Sequence, residues 1–109
     1  MKYALLVYDN PSSWESISTE QKRVLHGEYH AVAAAPGMIG HYRVRQPQKT
    51  ETVRVAEGQT VKTEASAPAR DNLHAFYLFE SDDHDSVLEV AARIPAARMG
   101  GAVEVWPLA

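Results

Sequence analysis

Residues 76–108 read FYLFESDDHDSVLEVAARIPAARMGGAVEVWPL, and the fold turns on how this stretch divides. Ala75-Phe76-Tyr77-Leu78-Phe79 is an apolar run rich in strand formers. Ser81-Asp82-Asp83 follows, with the hydroxyl and carboxylates that suit a helix N-cap and its positive end. Val87, Leu88, Ala91, Ala92 and Ile94 offer that helix a buried face, and Pro95 ends it. Gly100-Gly101 then turns the chain into a last strand, Ala102 to Trp106. The stretch is one strand–helix–strand unit.

The amino-terminal part has the same order. Tyr3 to Tyr8 is a short apolar strand, stopped by the turn chemistry of Asp9-Asn10-Pro11-Ser12-Ser13. Ser18-Thr19-Glu20-Gln21 is a capping box, and a helix runs from it to about Ala35 before Pro36-Gly37. Leu25, Tyr29 and Val32 share the apolar face of that helix. Met38 to Val44 is the returning strand. Between the halves, Thr52–Val55 and Thr60–Thr63 alternate around Glu57-Gly58 as a hairpin, and residues 64–73 read as a loop. The whole order is β-α-β, hairpin, β-α-β. It predicts one α+β domain over residues 1–109, a ferredoxin-like sandwich with both helices on one sheet face. The other face needs cover, which predicts a homodimer.

Composition removes several classes of function. The chain has 109 residues, 45% hydrophobic and 23% charged, ordinary proportions for a globular protein. Its net charge of −3 argues against a nucleic-acid partner. With no cysteine there are no disulfides, thiolate ligands or thiol nucleophiles, which fits a cytoplasmic setting. The apolar run before Asp9 is too short for a leader or a membrane span. No glycine-rich phosphate loop or nucleophile elbow is present, and no cofactor is expected.

HGEYH, residues 26–30, resembles a permuted zinc-protease signature. At about 100° per residue, Glu28 lies roughly 160° around the helix from each histidine, so it cannot serve as that motif's base. The spacing places no third ligand, and no metal site is expected. Asp82, Asp83, His84 and Asp85 are cap acids that need no ion.

His26 falls at the edge of the apolar stripe, where a pocket wall would be. An imidazole there suits proton transfer near neutral pH. His26 is therefore the candidate catalytic base or acid. Asp9, at the carboxyl end of the first strand, is the candidate that orients it; otherwise it is a turn-forming Asp. His30 lies nearer solvent. His30, His41, His74, Tyr8 and Tyr77 are the candidate substrate contacts. Arg43 and Arg45 would bind an acidic ligand if they faced inward, but alternation on an edge strand favours solvent. Trp14 is either a lid or a hydrophobic staple near the helix cap.

The opening MKYALLVYDN and the stretch from FYLFES to AARIPAARMGGAVEVWPL together resemble the YCII-related family, also called the DGPF-domain family. The resemblance covers nearly the whole chain. It implies a ferredoxin-like fold that dimerises into an α/β barrel, with a pocket between sheet and first helix. It also implies an acid–base histidine about eleven residues before the glycine that ends that helix, which here is His26. The family includes a dehydrochlorinase of chlorinated aromatics. Two positions depart from the family pattern. Glu64-Ala65-Ser66-Ala67-Pro68 stands where the namesake members carry Asp-Gly-Pro-Phe. Arg93-Ile94-Pro95 stands where shorter members place an Asp beside Pro.

These readings predict a small-molecule pocket protein whose chemistry, if it has any, is a cofactor-free lyase or isomerase step. The alternative is a non-enzymatic binding or regulatory dimer that has lost the catalytic acid, or a structural subunit acting through its dimer surface.

Overall fold

The computed structural model describes residues 1–45, 51–63 and 72–109. Strand β1 (Lys2–Tyr8) leads through a short helix α1 (Pro11–Glu15) to the long helix α2 (Thr19–Ala33) and strand β2 (Met38–Arg43). Strands β3 (Thr52–Ala56) and β4 (Gln59–Thr63) form a separate hairpin. Strand β5 (Leu73–Glu80), helix α3 (His84–Arg93), a 3-10 helix (Pro95–Arg98) and strand β6 (Ala102–Pro107) complete the chain. The main sheet is antiparallel throughout, in the order β2-β5-β1-β6. That order results when two strand–helix–strand units interlock, each placing its first strand in the centre. The protein is thus an α+β structure built on an antiparallel sheet.

Period-2 alternation sorts the two faces of this sheet. Tyr3, Leu5 and Val7 of β1 and Ala75, Tyr77 and Phe79 of β5 are buried toward the helices. Val32 of α2 and Val87, Val90 and Ile94 of the α3 region meet them to form the core. Leu5, Val7, Val87 and Ile94 are wholly inaccessible, each burial contributing about 1.5–3 kcal/mol before entropy is counted. The opposite face carries Leu6, Phe76 and Leu78 with the more exposed Tyr42 and Trp106, paired side by side across the strands. Among the described residues no helix covers this largely apolar face.

Local sequence explains where the elements begin and turn. Ser18 Oγ accepts from the Gln21 amide at 3.1 Å, while Gln21 Oε1 accepts from the Ser18 amide at 2.9 Å. This reciprocal pair satisfies two amides that the start of α2 would leave orphaned. Asp83 caps α3 through the Asp85 amide at 3.0 Å. Gly37 closes the turn after α2 at φ +98°, where a Cβ would lie 2.7 Å from the Glu80 carbonyl oxygen. Only glycine fits that approach without moving β5.

The helical face expected for α3 needs correction. Val87, Val90, Ala91 and Ile94 are buried, whereas Leu88 is 45% exposed and Ala92 also faces out. Positions 87, 90, 91 and 94 follow the 3.6 period, while 88 and 92 lie on the next row around. Helix α1 and the 3-10 helix form in segments that sequence pattern assigned to loops. Asn10 caps the former by accepting from the Ser12 amide, with Pro11 at the first helical position. Among the described residues, no helix is long and apolar enough to cross a membrane.

Candidate active site

A cavity of about 660 Å3 opens between α2 and the helix-facing side of the sheet. Its floor comes from Ala75 and Tyr77 of β5 and from His41 and Arg43 of β2. Its wall is one face of α2, contributed by Lys22, His26, Tyr29, His30 and Ala33. These positions step by three and four along the helix, which brings them to one side. Trp14 of α1 and Asp9, just past β1, close the rim with His74. His26, His30, His41 and His74 are four of the chain's five histidines.

His74 reaches this cavity because β5 carries an extra residue. Val7 pairs with Ala75 but the next residue, Tyr8, pairs with Leu73, so His74 has no partner on β1. Regular alternation would put His74 on the face opposite Ala75. A bulge of this kind re-aims a side chain, and here it turns the imidazole to the helix side. Asp9 follows Tyr8 directly, and its amide donates to the Asn72 carbonyl at 2.8 Å. The two irregular segments therefore meet, and His74 Nδ1 lies 2.9 Å from Asp9 Oδ2. Both side chains are between a quarter and a third exposed, at 27% and 29%. With the carboxylate beside Nδ1, Nε2 is the ring nitrogen left to meet a ligand.

Tyr29 stands beside this pair, its ring centroid 5.6 Å from that of His74. Burial pushes the Tyr29 phenol well above its ordinary value, and the Asp9 carboxylate adds to the push. The phenol thus stays protonated at physiological pH as a hydrogen-bond donor. Tyr29 serves both the core, as the apolar stripe predicts, and the cavity. Burial also raises the Tyr77 phenol, against an opposing pull from Arg43.

The remaining candidates divide clearly. His26 lines the cavity but packs on Trp14, ring centroids 5.3 Å apart, and among the described residues its ring makes no hydrogen bond. The expected partnership of Asp9 with His26 is replaced by the one with His74, because the bulge brings that imidazole to the carboxylate first. His30 lines the cavity one turn further on, and His41 stacks on Tyr77 at 6.0 Å and 26°. Tyr8 is not part of the wall. It lies on the uncovered sheet face, one residue past the buried Val7, and donates to Glu104 Oε1 at 2.8 Å. Arg43 is exposed, as alternation favours, and it also borders the cavity, aligned with the inward residue Ala75. Lys22, unforeseen, lies one turn before His26 and holds its ammonium 6.0 Å from the Trp14 ring centroid.

Glu28 turns from the cavity and pairs with Arg98 of the 3-10 helix. Among the described residues no three histidine or acidic side chains converge as a metal site. The segment Glu64 to Pro68, where the sequence departs from Asp-Gly-Pro-Phe, lies outside the described residues.

The YCII-related domain pattern matches residues 1–109, the full length. The chain belongs to the YCII-related family. The YCII-related domain is therefore the whole of the sequence, with both strand–helix–strand units inside it. No curated protein matches the chain. Among solved structures, it is similar to 5-chloro-2-hydroxyhydroquinone dehydrochlorinase from Burkholderia phenoliruptrix AC1100, determined in complex with 2,5-dihydroxybenzoquinone. The two share 14% identity at a TM-score of 0.49, over 100% of this chain and 96% of the other.

Proposed function

We propose that this YCII-related protein binds a small molecule in the α2–sheet cavity and moves a proton on it without a cofactor, as a lyase or isomerase does. One observation carries the reading: His74 Nδ1 lies 2.9 Å from the Asp9 carboxylate in the wall of a cavity large enough for a ligand. The carboxylate fixes the imidazole's orientation and stabilises it when charged, so Nε2 can take a proton and return it. Tyr29, held neutral, is placed to donate to an oxygen that gains charge. Asp9 keeps the orienting role that its position suggested, while His74 replaces His26 as the base.

The assembly we propose is a ferredoxin-like sandwich whose uncovered face meets a second copy, giving a cytoplasmic dimeric α/β barrel. The apolar row of Leu6, Phe76 and Leu78 beside the exposed Tyr42 and Trp106 supports it.

The test is deuterium wash-in. The protein is incubated in D2O with a panel of enolisable carbonyl compounds, and exchange is read by proton NMR. Wild type should catalyse exchange with at least one compound, and His74→Gln should slow it by about 100-fold or more. Exchange that survives His74→Gln but is lost in His26→Gln would move the base to the helix. The competing reading, a binding module without chemistry, predicts ligand-induced shifts of cavity residues with no exchange from any compound. The absence of any acidic group paired with His26 among the described residues favours His74 over it as base.

A further inference from the structure

The cavity holds two cations that no carboxylate among the described residues neutralises. Lys22 and Arg43 both line it, and among the described residues neither forms an ion pair. Among the described residues the one acidic side chain in the wall, Asp9, is engaged by His74. Yet the chain as a whole is acidic, with a net charge of −3. A general excess of basic residues therefore does not explain positive charge here. Cations gathered at one cavity focus their field on whatever enters it.

The rest of the wall is flat and aromatic. Tyr77 and His41 stack on the sheet side, and Trp14 with His26 stands on the helix side. Arg43 is close enough to Tyr77 to oppose the effect of burial on its phenol, so a charged group lies beside a ring platform. A guanidinium presents a planar fork that fits a carboxylate through two parallel hydrogen bonds, while an ammonium acts as a point charge.

We infer that the ligand is a small aromatic carboxylate, its ring against the Tyr77–His41 and Trp14 surfaces and its anionic group drawn by Arg43 and Lys22. The inference rests on the reading that this cavity binds a small molecule, and it names the class. A cation would meet Lys22 and Arg43 with no free carboxylate among the described wall residues. A neutral amide of the same shape would leave both charges without a counterion.

The experiment uses four probes of one size: benzoate, benzamide, benzamidine and cyclohexanecarboxylate. Binding to the full chain is read by proton–nitrogen NMR shifts at fixed salt, in wild type, Lys22→Gln, Arg43→Gln and Arg43→Lys. Both side chains are on the surface of the cavity, so the variants should fold. Benzoate should shift cavity resonances, and benzamide and benzamidine should bind roughly tenfold more weakly or not at all. Each Gln variant should weaken benzoate roughly tenfold, with partial rescue by Arg43→Lys. Benzamide binding as tightly as benzoate, or Gln variants with unchanged benzoate affinity, would overturn the inference. So would an absence of cavity shifts with every probe at millimolar concentration. Cyclohexanecarboxylate matching benzoate would overturn the aromatic part. Binding is read without turnover, so benzoate recognised with no proton exchange from any compound removes only the catalytic reading. Exchange that persists while benzoate is ignored removes only this one.

Discussion

Asp9 Oδ2 and His74 Nδ1 are 2.9 Å apart although 65 positions separate them in the chain (74 minus 9), and neither sits in regular pairing. Removing the carboxylate by Asp9→Asn leaves a side chain of the same shape that can present an N–H where the imidazole expects an acceptor. Proton exchange should fall by about 100-fold. Stability should change by only about 1 kcal/mol or less, because both groups are partly solvated. Exchange rates and urea unfolding on the same sample separate the two effects. A large loss of stability with unchanged exchange would make the pair structural.

Tyr29→Phe tests the buried phenol through pH. An ordinary tyrosine ionises near pH 10, and the folded-state value of Tyr29 lies above that. A raised value stabilises the fold fully below about pH 10 and is lost as pH climbs from there through the folded value. Wild type should therefore lose stability above about pH 10 more steeply than Tyr29→Phe, with parallel behaviour at neutral pH. Unfolding midpoints measured across that range check the sign.

Gly101→Ala should be costly out of proportion to one methyl group. A Cβ there would lie 2.1 Å from the Tyr8 carbonyl oxygen and 3.0 Å from that of Ala96, both backbone atoms that cannot swing away. Relief requires moving the end of β1, where Asp9 begins. A destabilisation of about 2–3 kcal/mol is expected. Separation of His74 from the Asp9 carboxylate should accompany it, read from the His74 ring shifts.

Ser18→Ala removes one half of the reciprocal cap on α2. The expected cost is about 1 kcal/mol, measured by denaturant unfolding. Ser18→Asp should recover most of it, since a carboxylate can also accept from the Gln21 amide.

Trp106→Glu places a charge on the uncovered sheet face, where Trp106 is 53% exposed in the single chain. Light scattering should report a dimer for wild type and a shift toward monomer for the variant. A monomeric wild type at micromolar concentration would end the proposal of a barrel.

Most elements were legible because local chemistry and long-range packing agree. The capping box at Ser18 and the alternation of Tyr3, Leu5 and Val7 act over a few residues and survive into the structure. Helix α1 was not legible, since five residues are too few to show a helical period. For the site, the α2 face was partly readable. His26 and His30 mark it, and stepping back four from His26 finds Lys22. His74 was identified as a candidate contact, but its partnership with Asp9 was not, because alternation assumes unbroken pairing. Tyr8 was misplaced for the reverse reason. Alternation holds there, and it sends the phenol to the other face.

The extra residue in β5 also makes the placement of His74 separable from the scaffold. Deleting one residue at Leu73 or His74 would let β5 pair evenly with β1 while Ala75, Tyr77 and Phe79 kept their inward places. The imidazole would be gone from the cavity, and the neighbouring Tyr29 ring would be the main contact to adjust. A one-residue change in β5 would therefore add or remove the His74–Asp9 pair while leaving the inward strand positions in place.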